Sequence, residues 1–391
     1  MLDRLPELYR AVWISILLVL VAVIMSFWSP IPSGDTAVYY GYAEKMWHGA
    51  LPYRDFPIEY PPGVLPFILL AKPLGVWIGK YTLGFISLSG VAVAISLWHR
   101  STQNDRLWPA LLMLPLLSFI FPLLDVYAAL ALYGSLFALK KQRWHLSAVL
   151  LAFSVLIKAY PIVCLPALCL ATPRQHRRKF LLTFILVVGI GLLPFLLISS
   201  SGVWHAVTYH SGRPIDFLSG PAAVGYIMHL LGEPLKLVGS HVSVALSFRH
   251  EPLINMWSSI LVVSSLVTAF WLLKAKVRFY PVLTSIALLL VYIIFFKVGS
   301  PQFVVPILFL IPLAQDELPP RSFRRLQQWF LAVGLATFVL LMFGVSRLFE
   351  AANQSLENIN VLSELLAILR IVILAAFLVW VVRQLRRPKA T

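Results

Sequence analysis

Cysteine is almost missing from this chain: Cys164 and Cys169 are the only two, five residues apart in one apolar segment. A helix does not turn those positions toward each other, so no disulfide framework is implied. Charge is scarce too, at 12% of residues against 60% hydrophobic. No water-soluble domain has that balance, and repeated apolar runs near span length point to an all-α, polytopic membrane protein. Acids are the rarer charge, 16 against 32 Lys and Arg, for a net charge of +16. The chain also lacks a P-loop, the glycine fingerprint of dinucleotide sites, zinc-ligand spacing and a Gly-x-Ser-x-Gly elbow. No cofactor is therefore expected.

The apolar runs place spans at about 11–28, 81–98, 107–122, 124–139, 146–157, 160–171, 180–198, 256–273, 279–296, 303–314, 328–345 and 365–382. The shorter ones extend beyond these limits or are half-spans shielded by protein. Ala11 to Trp28 is long for a signal-peptide core and no small-x-small cleavage site follows it, so it is read as a retained first span.

With the N-terminus inside, the inner segments hold 21 of the Lys and Arg against 5 acids, and the rest of the chain, mostly its outer segments, holds 11 of each. The whole net charge then lies on one face. This pattern predicts two cytoplasmic termini and multi-pass insertion in a cell membrane, a bacterial inner membrane by expectation. The basic charge is a topological label that also meets anionic lipid, and no nucleic-acid partner is expected. The whole chain, 1–391, reads as one transmembrane domain with two long outer loops, 29–80 and 199–255.

The first of these loops is the chemically dense stretch. Between Gly34 and Gly63 fall Asp35, Glu44, Lys45, Arg54, Asp55 and Glu59, with Tyr39, Tyr40, Tyr42, Tyr53 and Tyr60. Asp35 to His48 reads as an interfacial helix with an apolar stripe of Val38, Tyr39, Tyr42 and Met46, stopped at Gly49. Tyr60-Pro61-Pro62-Gly63 breaks the chain, and Val64 to Val76 reads as a second interfacial or re-entrant helix. In the second loop, Ala222 to Leu231 reads as an apolar helix, followed by a polar stretch to Pro252.

Asp35 stands at the start of the first interfacial helix. It fits an N-cap and equally a base able to take a hydroxyl proton. Lys158 and Lys297 each sit between apolar segments at the outer side, as snorkelling lysines or as partners for an anionic lipid phosphate. Tyr209, His210 and Arg213 group on the second loop, where Arg clamps phosphate well and His adds a donor or takes a proton. Asp125 is a lone acid between apolar runs; pairing with Lys158, pairing with Lys297 and a place in the site all stay open. Asp55 and Glu59 offer a weak cation site.

The stretch GDTAVYYGYAEKMWHGALPYRDFPIEYPPG resembles the first extracytoplasmic loop of GT-C class glycosyltransferases, most closely the polyprenyl-phosphate-mannose-dependent mannosyltransferases of glycosyltransferase family 87. The likeness rests on Asp35 after the first span, Gly49 to Tyr53 as Gly-x-x-Pro-Tyr, and Tyr60 to Pro62. It continues with Lys158 to Pro161, Tyr209 to Arg213, and Ser300 to Phe303 as Ser-Pro-Gln-Phe, over roughly the first 315 residues. It implies a GT-C fold of about 10–13 spans. It also implies an inverting, metal-independent hexosyltransferase fed by a polyprenyl-phosphate sugar. Asp35 would be the base. Lys158, His210, Arg213 and Lys297 would hold the donor phosphate, with Tyr39, Tyr60, Tyr209 and Gln302 lining the substrate site. The partners implied are the lipid-linked donor, a glycolipid or glycan acceptor and membrane lipid. A transporter or flippase of a lipid-linked sugar is the alternative.

Overall fold

A computed structural model describes Trp13, Ile16 and Leu20 and residues 34–78, 124–209, 212–240, 243–274, 280–345 and 361–386. The predicted spans 81–98 and 107–122, and nearly all of 11–28, lie outside the described residues. In chain order the elements are α1 (Gly34–Trp47), α2 (Leu65–Ile78), α3 (Asp125–Lys140), α4 (Trp144–Ile157), α5 (Leu165–Ala171) and α6 (Arg174–Tyr209). There follow β1 (Ile215–Asp216), α7 (Gly220–Leu230), β2 (Leu235–Ser240), β3 (Ser243–Phe248), α8 (Glu251–Lys274) and α9 (Pro281–Phe295). The last are α10 (Val305–Leu310), α11 (Pro320–Val339) and α12 (Val361–Leu385).

The described residues are mostly helical, and two helices, α6 and α12, are long and apolar enough to cross a membrane. Leu182, Ile185, Leu186, Ile190, Leu193 and Leu197 of α6 are all exposed. A helix with apolar side chains so open to its surroundings is unstable in water and suited to lipid. At 36 residues α6 exceeds what a bilayer requires, and it breaks at Ser199, whose φ of −158° leaves the helical region, five residues after Pro194. Two predicted spans are not single helices. The 160–171 run is a tight turn, Tyr160–Cys164, followed by the seven-residue α5, and 303–314 is α10 between two tight-turn segments. Prolines 161, 166, 301, 306 and 312 remove backbone donors at these places, which shortens regular helix.

The chain divides into two compact units. The first comprises Met1–Ile162, Arg174–Tyr209 and Val305–Leu313. Its centre is the α3–α4 hairpin, whose facing surfaces bury Ala128, Ala129, Ala138, Ala148 and Ala152. Small side chains let the helices approach, and hydroxyls then bond across: Ser135 Oγ donates to the Ser147 carbonyl and Ser154 Oγ to that of Ala128, each at 2.7 Å. Lys140, Lys141 and Arg143 lie at the hairpin turn, while Asp125 and Lys158 lie at the open end. Both short helices expected of the first loop are present as α1 and α2. Gly49, at φ +86°, stops the first, and the salt bridge from Lys72 to Glu44 ties them together.

The second unit comprises Val163–Pro173, His210–Val304 and Ala314–Thr391. Here α12 packs on α7, α9 and α11. The stretch expected to be polar forms a hairpin of β2 and β3, which β1 joins in a three-stranded antiparallel sheet of order β1-β3-β2, so the chain is not purely helical. Ile215 pairs with Leu246, and Leu235 with Phe248; these four are buried while Lys236 and Val238 point out. Ser219 caps α7, its Oγ accepting from the Ala222 N–H at 3.2 Å, with Pro221 in the first turn.

Candidate functional site

In the first unit the tyrosine-rich loop is a packed structure. Tyr53 adopts φ +68°, a conformation rare for a non-glycine residue, and its hydroxyl donates to the Tyr60 carbonyl at 2.6 Å. Asp55 is consumed locally: it accepts from the Leu51 N–H at 2.7 Å and from Arg54 at 2.8 and 3.0 Å. Those donors hold its carboxyl below the usual range, Arg54 foremost. Asp55 is thus a loop brace rather than half of a cation site. Burial, followed by the charge of Glu59, keeps the Tyr42 phenol protonated well above its ordinary range. Tyr209, at the end of α6, is half-buried and lies within electrostatic reach of Tyr42.

Tyr39 is buried on α1, one helical turn past Asp35, and meets Tyr60 edge-on with ring centres 5.5 Å apart. Lys158 stands over the Tyr60 ring, Nζ 4.3 Å from its centre, and 3.4 Å from Asp125 Oδ2. It is 8% exposed, at the point where α4 gives way to extended backbone. A snorkelling lysine would reach water; this one is held inside by an aromatic face and a buried carboxylate. Asp35 has helical backbone in the first turn of α1, but its side chain lies outside the described residues.

In the second unit, Arg213 and Lys297 are brought together from segments 84 residues apart in sequence. Asp216 lies between them: its Oδ2 is 3.9 Å from Arg213 Nη2, and its N–H donates to the Lys297 carbonyl at 2.9 Å. Lys297 is 8% exposed. Burial pushes its ammonium below the ordinary lysine range and the Arg213 cation adds to that, while Glu251 at the start of α8 pulls it back. Burial raises Glu251 in turn, against a backbone hydrogen bond from Ile215 and the charge of Lys297. Arg213 and Lys297 are faced by two acids, Asp216 and Glu251, so an incoming anion would compete with those carboxylates for the two cations. Gln302 is half-buried on the Pro301–Val304 turn. His210 lies outside the described residues.

Sequence reasoning passed over two residues of α12. Glu364 is fully buried, with Oε1 2.6 Å from His229 Nδ1 of α7. Arg370 is 1% exposed and donates to the Leu218 carbonyl at 2.9 Å and to Thr337 Oγ1 at 3.2 Å. The signal was available: an arginine inside the apolar run 365–382 is costly and asks for a role. Among the described residues no three His, Cys, Asp or Glu side chains gather so as to hold a metal ion. No protein-family model, curated protein or solved structure matches this chain.

Proposed function

We propose that this chain is a membrane-embedded glycosyltransferase of the GT-C kind, multi-pass, with both termini in the cytoplasm. It moves a sugar, mannose in the first instance, from polyprenyl phosphate to a hydroxyl of a glycolipid or glycan outside the cytoplasm. The observation that carries this reading is the pairing of Arg213 with buried Lys297 at one end of α9, beside Glu251 and away from the basic Lys274 end of α8. A phosphate leaving with developing negative charge is stabilised far more by fixed cations in a water-poor place than by water-screened ones. The tyrosine-rich loop supports the reading from the first unit. Its packed aromatic nest joins Tyr60 to Tyr39 of α1, the helix whose first turn holds Asp35, and suits a lipid-borne sugar entering sideways.

In this mechanism the acceptor oxygen attacks the anomeric carbon from the face opposite the phosphate. The bond from that carbon to the phosphate oxygen breaks, and its electron pair leaves with the phosphate. Asp35 takes the acceptor's hydroxyl proton, and the anomeric configuration inverts. The test is a screen of polyprenyl-phosphate sugars with purified protein in lipid and mass analysis of the products. Incorporation of labelled sugar into an acceptor supports the proposal, and no turnover with any such donor overturns it.

Arg370 and Glu364, buried within an apolar helix, favour a second reading, transport of a lipid-linked sugar. Liposomes separate the two: movement of labelled donor between leaflets without glycosyl transfer identifies the transporter.

A further inference from the structure

The proposed chemistry leaves Arg370 unused. A buried guanidinium is tolerated when its donors are filled, and here Nη1 and Nε are bonded while Nη2 has no hydrogen-bond partner among the described residues. The acceptor of Nη1, the Leu218 carbonyl, belongs to a tight turn. The Leu218 N–H donates to Asp216 Oδ1 at 3.0 Å, and the Ser219 N–H to the Asp216 carbonyl at 2.9 Å. The same Asp216 touches Arg213 through Oδ2 and the Lys297 backbone through its N–H. On the far side, Ser219 lies so close to Gly299 that any side chain there would overlap the Ser219 backbone. One turn is therefore joined to both cation-bearing segments, and Arg370 grips its carbonyl from within α12 by a charge-assisted bond.

We propose that Arg370 is a positioning residue for the anion site: it fixes the Asp216–Ser219 turn, and through Asp216 it sets the spacing of Arg213 and Lys297 that a prenyl phosphate requires. The proposal rests on the reading of those two cations as phosphate-holding. Two point contacts bind a phosphate well only while their separation is held to a fraction of an ångström. Asp216 is the link, with one carboxylate oxygen on the turn and the other toward Arg213.

The experiment uses the full chain in lipid nanodiscs and farnesyl phosphate as the probe, with binding followed by tryptophan fluorescence. Arg213→Ala and Arg370→Met are each expected to weaken binding about tenfold, and the double variant to lose well short of the product, because Arg370 acts through Arg213. Arg370→Lys, which can still donate to the Leu218 carbonyl, is expected to recover most of the affinity. Independent losses that multiply, or unchanged binding in Arg370→Met, overturn the proposal. If the unaltered protein does not bind farnesyl phosphate, the phosphate reading falls, and amide exchange then decides positioning on its own. The Leu218 and Ser219 amides are expected to exchange about tenfold faster in Arg370→Met while the β2–β3 pairing is unchanged. Equal exchange there overturns it. Where Arg370→Met does not fold, Thr337→Val loosens the same guanidinium with the charge intact and serves in both measurements.

Discussion

The Lys158 ammonium is 3.4 Å from Asp125, a carboxylate with no exposed surface. The pairing closes one of the alternatives the sequence left open. Within the first unit Asp125 is the countercharge of Lys158, and the pair sits at the open end of the α3–α4 hairpin. Removing one member leaves the other charge buried. Asp125→Leu is therefore expected to destabilise the protein by about 3–5 kcal/mol, whereas Asp125→Leu combined with Lys158→Met recovers much of the loss. Thermal unfolding in detergent reads both; equal damage in the single and double variants contradicts the pairing.

Asp35 carries the chemistry proposed. Asp35→Asn keeps the size of the side chain but has no carboxylate to take a proton. Transfer should fall on the order of a hundredfold or more, with expression and melting temperature close to those of the unaltered protein. Labelled-sugar transfer in membranes measures it. Substantial turnover by Asp35→Asn removes Asp35 from the mechanism.

Lys297 is expected to trade stability for binding. Its folded-state pKa is depressed by burial, so between that value and the ordinary lysine value the unfolded chain binds more protons than the folded one. Stability contributed at this position therefore rises with pH through that window, and at neutral pH the buried charge is a cost. Lys297→Met should melt no lower than the unaltered protein at neutral pH. The unaltered protein should gain on the variant as the pH climbs toward the ordinary lysine range. Prenyl phosphate binding should be lost in the variant. Melting curves at several pH values, with a flat difference between the two proteins, would refute the burial argument.

Gly299 faces the Ser219 backbone with no room for a β-carbon. Gly299→Ala forces the two segments apart at an expected cost of about 1–3 kcal/mol. Because the displaced turn follows Asp216, binding of the phosphate probe should weaken as well. A variant with unaltered melting and unaltered binding would mean that the segments are free to separate.

The first long loop was legible because its signals are local. A helix between Asp35 and His48, a stop at Gly49, a Pro-Pro break and a second short apolar helix each follow from a few adjacent residues, and α1 and α2 realise them. The sheet of the second loop was legible in principle, since Ser243–Phe248 alternates and Leu235–Ser240 precedes it closely, but the strands are short and the third, Ile215–Asp216, lies farther back in sequence. The half-length segments α5 and α10 were ambiguous in the sequence because apolar runs of that length fit a helix or a turn until the prolines are weighed.

Composition and the apolar runs by themselves determined that the chain is mostly helical, apolar and basic, because those properties follow from residue content and local windows and need no distant partner. Which charges meet was decided only by the tertiary structure. Asp125 chose Lys158, Asp216 came to stand beside both Arg213 and the Lys297 backbone, and Arg370 reached back across 152 residues to the Leu218 carbonyl. Such pairings depend on where distant helices end relative to one another. A buried charge is stable only where packing delivers its partner, and no local window of sequence contains that information.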